Sequence, residues 1–143
     1  MKKIKLYTDG SCDLVTRIGG YCAILIYGPH EKIIKGHSTN TTNNRMELIA
    51  IIEGIKALKE PCEIDIYSDS KLCVQGINEW IYNWIKKDFK DIKNDDLWKI
   101  YLNISKNHII NMIWVKGHNG DKYNELADTI AKEEVLKIKS IQS

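Results

Sequence analysis

The chain has 143 residues with a formal charge of +2, 28% charged side chains and only two prolines. That suits one compact domain with a sizeable core and argues against a disordered or collagen-like chain. No apolar run reaches membrane-spanning length, and the start M-K-K-I-K-L-Y-T-D-G lacks the apolar stretch of a signal peptide.

Taken in order, I-K-L-Y-T at 4–8 alternates as a strand and runs into D-G-S, a turn signal. G-G-Y-C-A-I-L-I-Y at 19–27 is a second strand. G-P-H reverses it tightly into an antiparallel third, K-I-I-K-G-H-S at 32–38. Thr42 or Asn43 caps a helix on which Met46, Ile49, Ala50, Ile52, Ile55 and Leu58 recur at helical spacing through Lys59, before Pro61. E-I-D-I-Y-S at 63–68 is a strand, Ser70 opens a further helix, and W-I-Y-N-W-I-K-K at 80–87 is helical and aromatic. The polar stretch 87–95 precedes a helix from about Asp95 to Asn107. The strand I-I-N-M-I-W-V, the loop K-G-H-N-G-D and a long helix capped by Asp121 complete the chain. Three strands followed by strands interleaved with helices imply a mixed α/β sheet covered by helices, in one domain spanning 1–143.

Four cysteines at 12, 22, 62 and 73 form no C-x-x-C pair. A thiolate zinc site is therefore disfavoured, and a reducing, cytoplasmic setting is expected. Cys22 reads as a small core residue.

Four acids stand out: Asp9 in T-D-G-S, Glu47 in N-N-R-M-E-L, Asp69 in Y-S-D-S and Asp128 in N-E-L-A-D. If the first and fourth strands are parallel neighbours, Asp9 and Asp69 emerge at the same sheet edge. Glu47 shares a helix face with Ala50 and Ile51. Asp128 lies one turn beyond Asn124 and would face the sheet if Ala127, Ala131 and Leu136 pack there. Hard carboxylate oxygens suit Mg²⁺ or Mn²⁺, and two such ions about 4 Å apart can clamp a phosphodiester. Each acid alone has a plainer reading: Asp9 as a turn residue, Asp69 as a helix cap, Glu47 as a partner of the helix dipole.

These segments together resemble ribonuclease H of type 1, in its bacterial form. The resemblance runs from Ile4 to about Glu134. It rests on T-D-G-S at 8–11, G-G-Y at 19–21, T-T-N-N-R-M-E-L at 41–48, S-D-S at 68–70 and W-I-Y-N-W at 80–84. D-L-W at 96–98, W-V-K-G-H-N-G at 114–120 and N-E-L-A-D at 124–128 complete it. It implies a ribonuclease H-like fold, a five-stranded mixed sheet in order 3-2-1-4-5 flanked by helices. The implied activity is hydrolysis of the RNA strand of RNA–DNA hybrids with two Mg²⁺ ions, leaving 5′-phosphate and 3′-hydroxyl ends. The metal ligands would be Asp9, Glu47, Asp69 and Asp128, with His118 moving protons or aiding product release. A loop imidazole between glycines also suits that role.

The same resemblance assigns hybrid contacts to Thr42, Asn43 and Asn44; the backbone amides around Gly10 and Cys12, and Asn124 near the acids, are further candidates for binding the RNA strand. Trp80 and Trp84, four apart on one helix face, divide the work: one belongs to the core and the other lines a groove for deoxyribose, with Lys86 and Lys87 on phosphates. The plainer readings are N-capping for the first group and core packing with solvated lysines for the last. Arg45 is expected to brace structure, and His30, His37 and His108 to be turn or surface residues. Three departures from the family pattern concern substrate. Val15 replaces a usual asparagine, with Arg17 nearby as a substitute phosphate contact. The basic protrusion is short and mixed with acids. Asn40 and Lys71 replace an arginine and a glutamine, and Lys71 is placed to reach an RNA phosphate. A monomer without an obligate protein partner or membrane attachment is expected. The alternative function is a catalytically impaired module that binds hybrids without cutting them.

Overall fold

The computed structural model describes residues 1–117 and 121–142. Three strands come first: β1 (Lys2–Cys12), β2 (Gly19–Tyr27) and β3 (His30–Ser38). Helix α1 (Asn43–Lys56), strand β4 (Cys62–Ser68) and helix α2 (Lys71–Gln75) follow. A single π-helical turn (Gly76–Trp80) then joins α2 to α3 (Ile81–Lys86), ahead of α4 (Asp95–Ser105), β5 (Ile109–Trp114) and α5 (Lys122–Gln142). The sheet order is β3-β2-β1-β4-β5. β1–β2 and β2–β3 are antiparallel, while β1–β4 and β4–β5 are parallel. The expected mixed sheet and strand order therefore hold.

Alternation along β1 sorts the chain into two layers. Ile4 and Leu6 join Ala23, Leu25, Ile64 and Ile66 beneath α1, α2 and α4. Tyr7, with Cys22 and Ile24, faces α5 through Ala127 and Ala131. The β2–β3 reversal uses Gly28 at φ +55°, the left-handed value that a two-residue hairpin needs at its first central position.

Several boundaries differ from the sequence expectation. T-D-G-S is not a turn. β1 continues to Cys12, paired with β2 as far as Gly19. Helix α1 ends at Lys56 rather than Lys59, because the Leu58 amide turns back onto the Ile55 carbonyl and starts the descent to Pro61. The last helix packs through Val135, 6% exposed, whereas Leu136 is 62% exposed. Ala127, Ala131 and Val135 lie at successive four-residue steps, so the next residue in sequence necessarily turns outward. The stretch 87–95 is not simply polar. Phe89 is buried in the main core, with Asp88, Phe89, Asp91 and Asn94 all at positive φ to bend the chain around it. His108 is more than a surface residue, since its Nδ1 accepts the Cys62 amide at 3.0 Å and fixes the start of β4.

Candidate active site

The parallel β1–β4 register ends at Tyr7 opposite Tyr67. Two residues further on, Asp9 and Asp69 stand beyond the last pair, at the carboxyl edge of adjacent parallel strands. Asp9 is still held in the β1–β2 ladder opposite Cys22. This is the edge at which open α/β sheets collect ligands.

Helix α1 brings the third acid. Thr42 Oγ1 accepts the Arg45 amide, so Thr42 is the N-cap and Glu47 enters within the second turn. Gly10 permits the approach. A Cβ at Gly10 would stand 2.4 Å from the Glu47 nitrogen, so any side chain there would push α1 off the strand. Glu47 is thereby driven against Asp9; the two are 6% and 5% exposed. Asp69 is exposed, and a carboxylate oxygen from each of Asp9, Glu47 and Asp69 lies within 4.8 Å of the others.

Asp128 completes the wall of a small cavity shared with Thr8, Asp9, Asp69, Val115, Gly117, Asn124 and Glu125. Its place depends on Asp121, whose Oδ1 accepts the Tyr123 and Asn124 amides and opens α5. Asp128 also receives Lys132 Nζ at 3.1 Å, one helical turn on. Gly117 was missed by sequence reasoning: a Cβ there would lie 3.2 Å from Asp69 Oδ2, so the loop backbone packs against that carboxylate. His118 lies outside the described residues.

The electrostatics are those of an anionic cluster short of positive charge. Burial, opposed in part by hydrogen bonding with Glu47 and reinforced by Asp69 and Asp128, pushes the Asp9 carboxyl up to about 7. Burial and the Asp9 charge raise Glu47 well above the carboxylate range. Among the described residues, Glu47 Oε2 and Asn124 Nδ2 are buried without a hydrogen-bond partner. Buried polar atoms are almost always partnered, so an unpaired carboxylate oxygen beside two other acids fits a cation. An all-oxygen donor set suits a hard ion such as Mg²⁺ or Mn²⁺ over a thiolate-seeking one.

The remaining expected residues spread around this centre. Asn43 and Asn44 are exposed and line a groove with Glu47, Asp69, Ser70, Lys71 and Leu72. The Gly10 amide donates to Asp9 Oδ1 at 2.9 Å, an internal bond that the sequence reading did not foresee. Cys12 is half-buried, its Sγ 3.6 Å from the Thr41 carbonyl. Loop 13–18, where Val15 is 92% exposed, is organised by Asp13, which accepts from Thr16 and lies 3.4 Å from Lys139. Arg17 Nε turns inward onto the Thr41 carbonyl, giving that side chain an internal partner.

Trp84 packs edge-on to Trp98 at 5.0 Å, and Trp80, 6.1 Å from Trp84, is 37% exposed. One indole thus backs the other, with Lys86 and Lys87 exposed beyond them. Arg45 makes a bidentate pair with Asp96 at 3.0 and 2.8 Å and a bond to Asn94, which confirms its bracing role. No helix among the described residues is long and apolar enough to cross a membrane.

The RNase H family model matches residues 1–136. Ribonuclease H of Campylobacter jejuni is 57% identical over 138 residues, covering 96% of this chain and 94% of that protein. Ribonuclease H of Helicobacter pylori is 50% identical over 137 residues, covering 96% of each. Among solved structures, LC9-RNase H1, described as a type 1 RNase H with the type 2 active-site motif, superposes with a TM-score of 0.89. It is 25% identical, with 96% of this chain and 74% of that chain covered. LC11-RNase H1, solved in complex with RNA/DNA hybrid, shares the fold with a TM-score of 0.71 at 18% identity, covering 94% and 98% of the two chains. With the carboxylates gathered at the sheet edge and a family match along nearly its whole length, this chain belongs to the RNase H family.

Proposed function

We propose that this protein is an endoribonuclease that hydrolyses the RNA strand of RNA–DNA hybrids, leaving 5′-phosphate and 3′-hydroxyl ends. Asp9, Glu47, Asp69 and Asp128 would hold two Mg²⁺ ions, with Mn²⁺ able to substitute. The observation that carries this reading is the convergence of three carboxylates within 4.8 Å, two of them buried, with Asp128 on the same cavity wall. Family membership and relatives named ribonuclease H support it. Bound divalent cations would supply positive charge that polarises the phosphodiester and lowers the cost of deprotonating the attacking water.

The chain's own groups then have distinct tasks. Glu47 would hold its ligand from a closely packed backbone, because the start of α1 lies directly against β1 at Gly10. Asp9 interacts with both Glu47 and Asp128 and so is common to the whole cluster. Asn124 offers a buried Nδ2 donor at the cavity. Its chemistry suits an RNA 2′-hydroxyl or phosphate oxygen. The groove of Asn43, Asn44 and Lys71 would carry the RNA backbone past the acids. Trp80, Lys86 and Lys87 would meet the DNA strand, an apolar face for deoxyribose beside screened charges for phosphate. Residues 1–143 act as one catalytic domain, and four free cysteines fit a reducing cytoplasm.

A hybrid labelled on either strand, incubated with Mg²⁺, with EDTA, and with a D69N variant, tests the reading. Metal-dependent loss of RNA alone, abolished in D69N, is expected. Binding without cutting would replace the enzyme by a hybrid-binding module. Equal cutting of duplex DNA would overturn the substrate assignment.

A further inference from the structure

The last residue of β5 lies against the acidic cluster in a way that its place in the sheet does not require. Trp114 pairs with Ser68, and the next residue closes the ladder, the Val115 amide donating to the Ser68 carbonyl at 2.9 Å. The Trp114 side chain leaves the core and is 44% exposed. Its Nε1–H donates to the Asp69 main-chain carbonyl at 3.3 Å. Lys71 Nζ sits over the same ring, 5.0 Å from its centroid. Trp114, Lys71, Val74 and Gln75 line a hollow of about 350 Å³ beside the cluster. Lys71 also lines the groove that holds Asn43, Asn44, Glu47 and Asp69.

Among the described residues, neither hydrophobic cluster includes Trp114; its N–H goes to the backbone of an active-site acid and its face to Lys71, so its polar handle and its ring both serve the site. Asp69 follows the end of β4, where the strand ladder no longer constrains it, and is the exposed member of the trio. A donor on its carbonyl restricts the peptide that carries the carboxylate. The ring face, meanwhile, restrains a long lysine that would otherwise sample many rotamers.

We propose that Trp114 is a positioning residue with two separable effects. Its indole N–H fixes the Asp69 peptide so that the carboxylate meets a divalent cation, and its face holds Lys71 where the RNA backbone enters. The inference rests on the hybrid-nuclease reading for the Lys71 half and on the acidic cluster alone for the Asp69 half.

The test uses the full chain in four forms: wild type, W114F, W114H and K71M. Mg²⁺ and Mn²⁺ binding is measured by calorimetry without substrate, thermal midpoints are taken in EDTA, and kcat and KM are measured on a hybrid. W114F keeps an aromatic face and loses the donor. It should bind the cation roughly 3–10-fold more weakly, the ratio that one hydrogen bond is worth, and lose kcat with KM little changed. W114H, which retains a ring N–H, should recover part of that affinity. K71M should bind the cation as wild type does and raise KM several-fold. Unchanged cation affinity in W114F would overturn the proposal. So would equal losses in W114F and W114H that follow a fall of the EDTA thermal midpoint, since these would mark a purely structural residue. Absence of hybrid cleavage by the wild type would instead refute the functional reading and leave the cation-binding comparison to decide the Asp69 half.

Discussion

Replacing Asp9 by Asn should stabilise the metal-free protein while destroying its activity. Asp9 is 5% exposed and its carboxyl is pushed from the ordinary 3.8 up to about 7, chiefly by burial. The folded state therefore holds that proton more tightly than the unfolded chain does. Its contribution to stability is intact below about pH 4, the unfolded value. It is lost as the pH rises through about 7, the folded value in the absence of metal. At roughly 1.4 kcal/mol per pH unit, the full displacement amounts to about 4 kcal/mol at pH 8. Relaxation of the cluster and partial proton sharing with Glu47 reduce the recoverable part to about 2 kcal/mol. Asn keeps an Oδ1 that can accept the Gly10 amide, so the local backbone bond survives. In EDTA at pH 8, D9N should melt roughly 6 °C above wild type, and the gap should close as the pH falls toward 4. Adding Mg²⁺ should reverse the order, because saturating ligand stabilises only the form that binds it. Circular dichroism melts at two pH values, with and without Mg²⁺, provide the readout. A D9N protein less stable than wild type in EDTA at pH 8, or a gap independent of pH, would refute the charge-crowding argument.

Other perturbations test the supports of the site. G10A forces a Cβ to within 2.4 Å of the Glu47 nitrogen; denaturant titration should show a loss of roughly 3 kcal/mol, and cleavage should fall with it. F89A empties a buried position beneath the basic loop; a loss of about 3 kcal/mol and a raised KM are expected from parallel melts and kinetics. R45M removes the bidentate pair with Asp96 and the bond to Asn94, which should cost about 1 kcal/mol and raise KM more than it lowers kcat. Because acids interrupt the lysines of 86–95, the dependence of hybrid binding on salt should be shallow, and a slope as steep as that of a fully basic homologue would contradict this.

The acidic centre was legible in sequence because strand periodicity and parallel pairing are short-range consequences of residue type. Once β1 and β4 are parallel, Asp9 and Asp69 share an edge, and Glu47 follows from helical spacing after the Thr42 cap. D-G-S was misread because glycine serves two purposes. At Gly10 it admits a neighbouring helix rather than turning the chain, and only the packing of α1 distinguishes these. Phe89 was hidden for a related reason. Phe89 and Ile92, three apart among lysines and aspartates, are too few to show a periodicity, and the segment that carries them to the core bends through four residues at positive φ. Leu136 was chosen over Val135 although stepping by four from Ala127 and Ala131 leads to Val135. The Trp114 bond to Asp69 had no sequence signal, since it joins residues 45 apart through an indole and a carbonyl.

The most direct test of the account is nucleotide-resolution mapping of the products from an RNA–DNA hybrid cut in Mg²⁺. The account predicts internal RNA cuts with 5′-phosphate and 3′-hydroxyl ends, an intact DNA strand, and no products from D9N, E47Q or D69N at equal hybrid occupancy. Cleavage that persists in those variants or in EDTA, or RNA ends carrying a 2′,3′-cyclic phosphate, would contradict it.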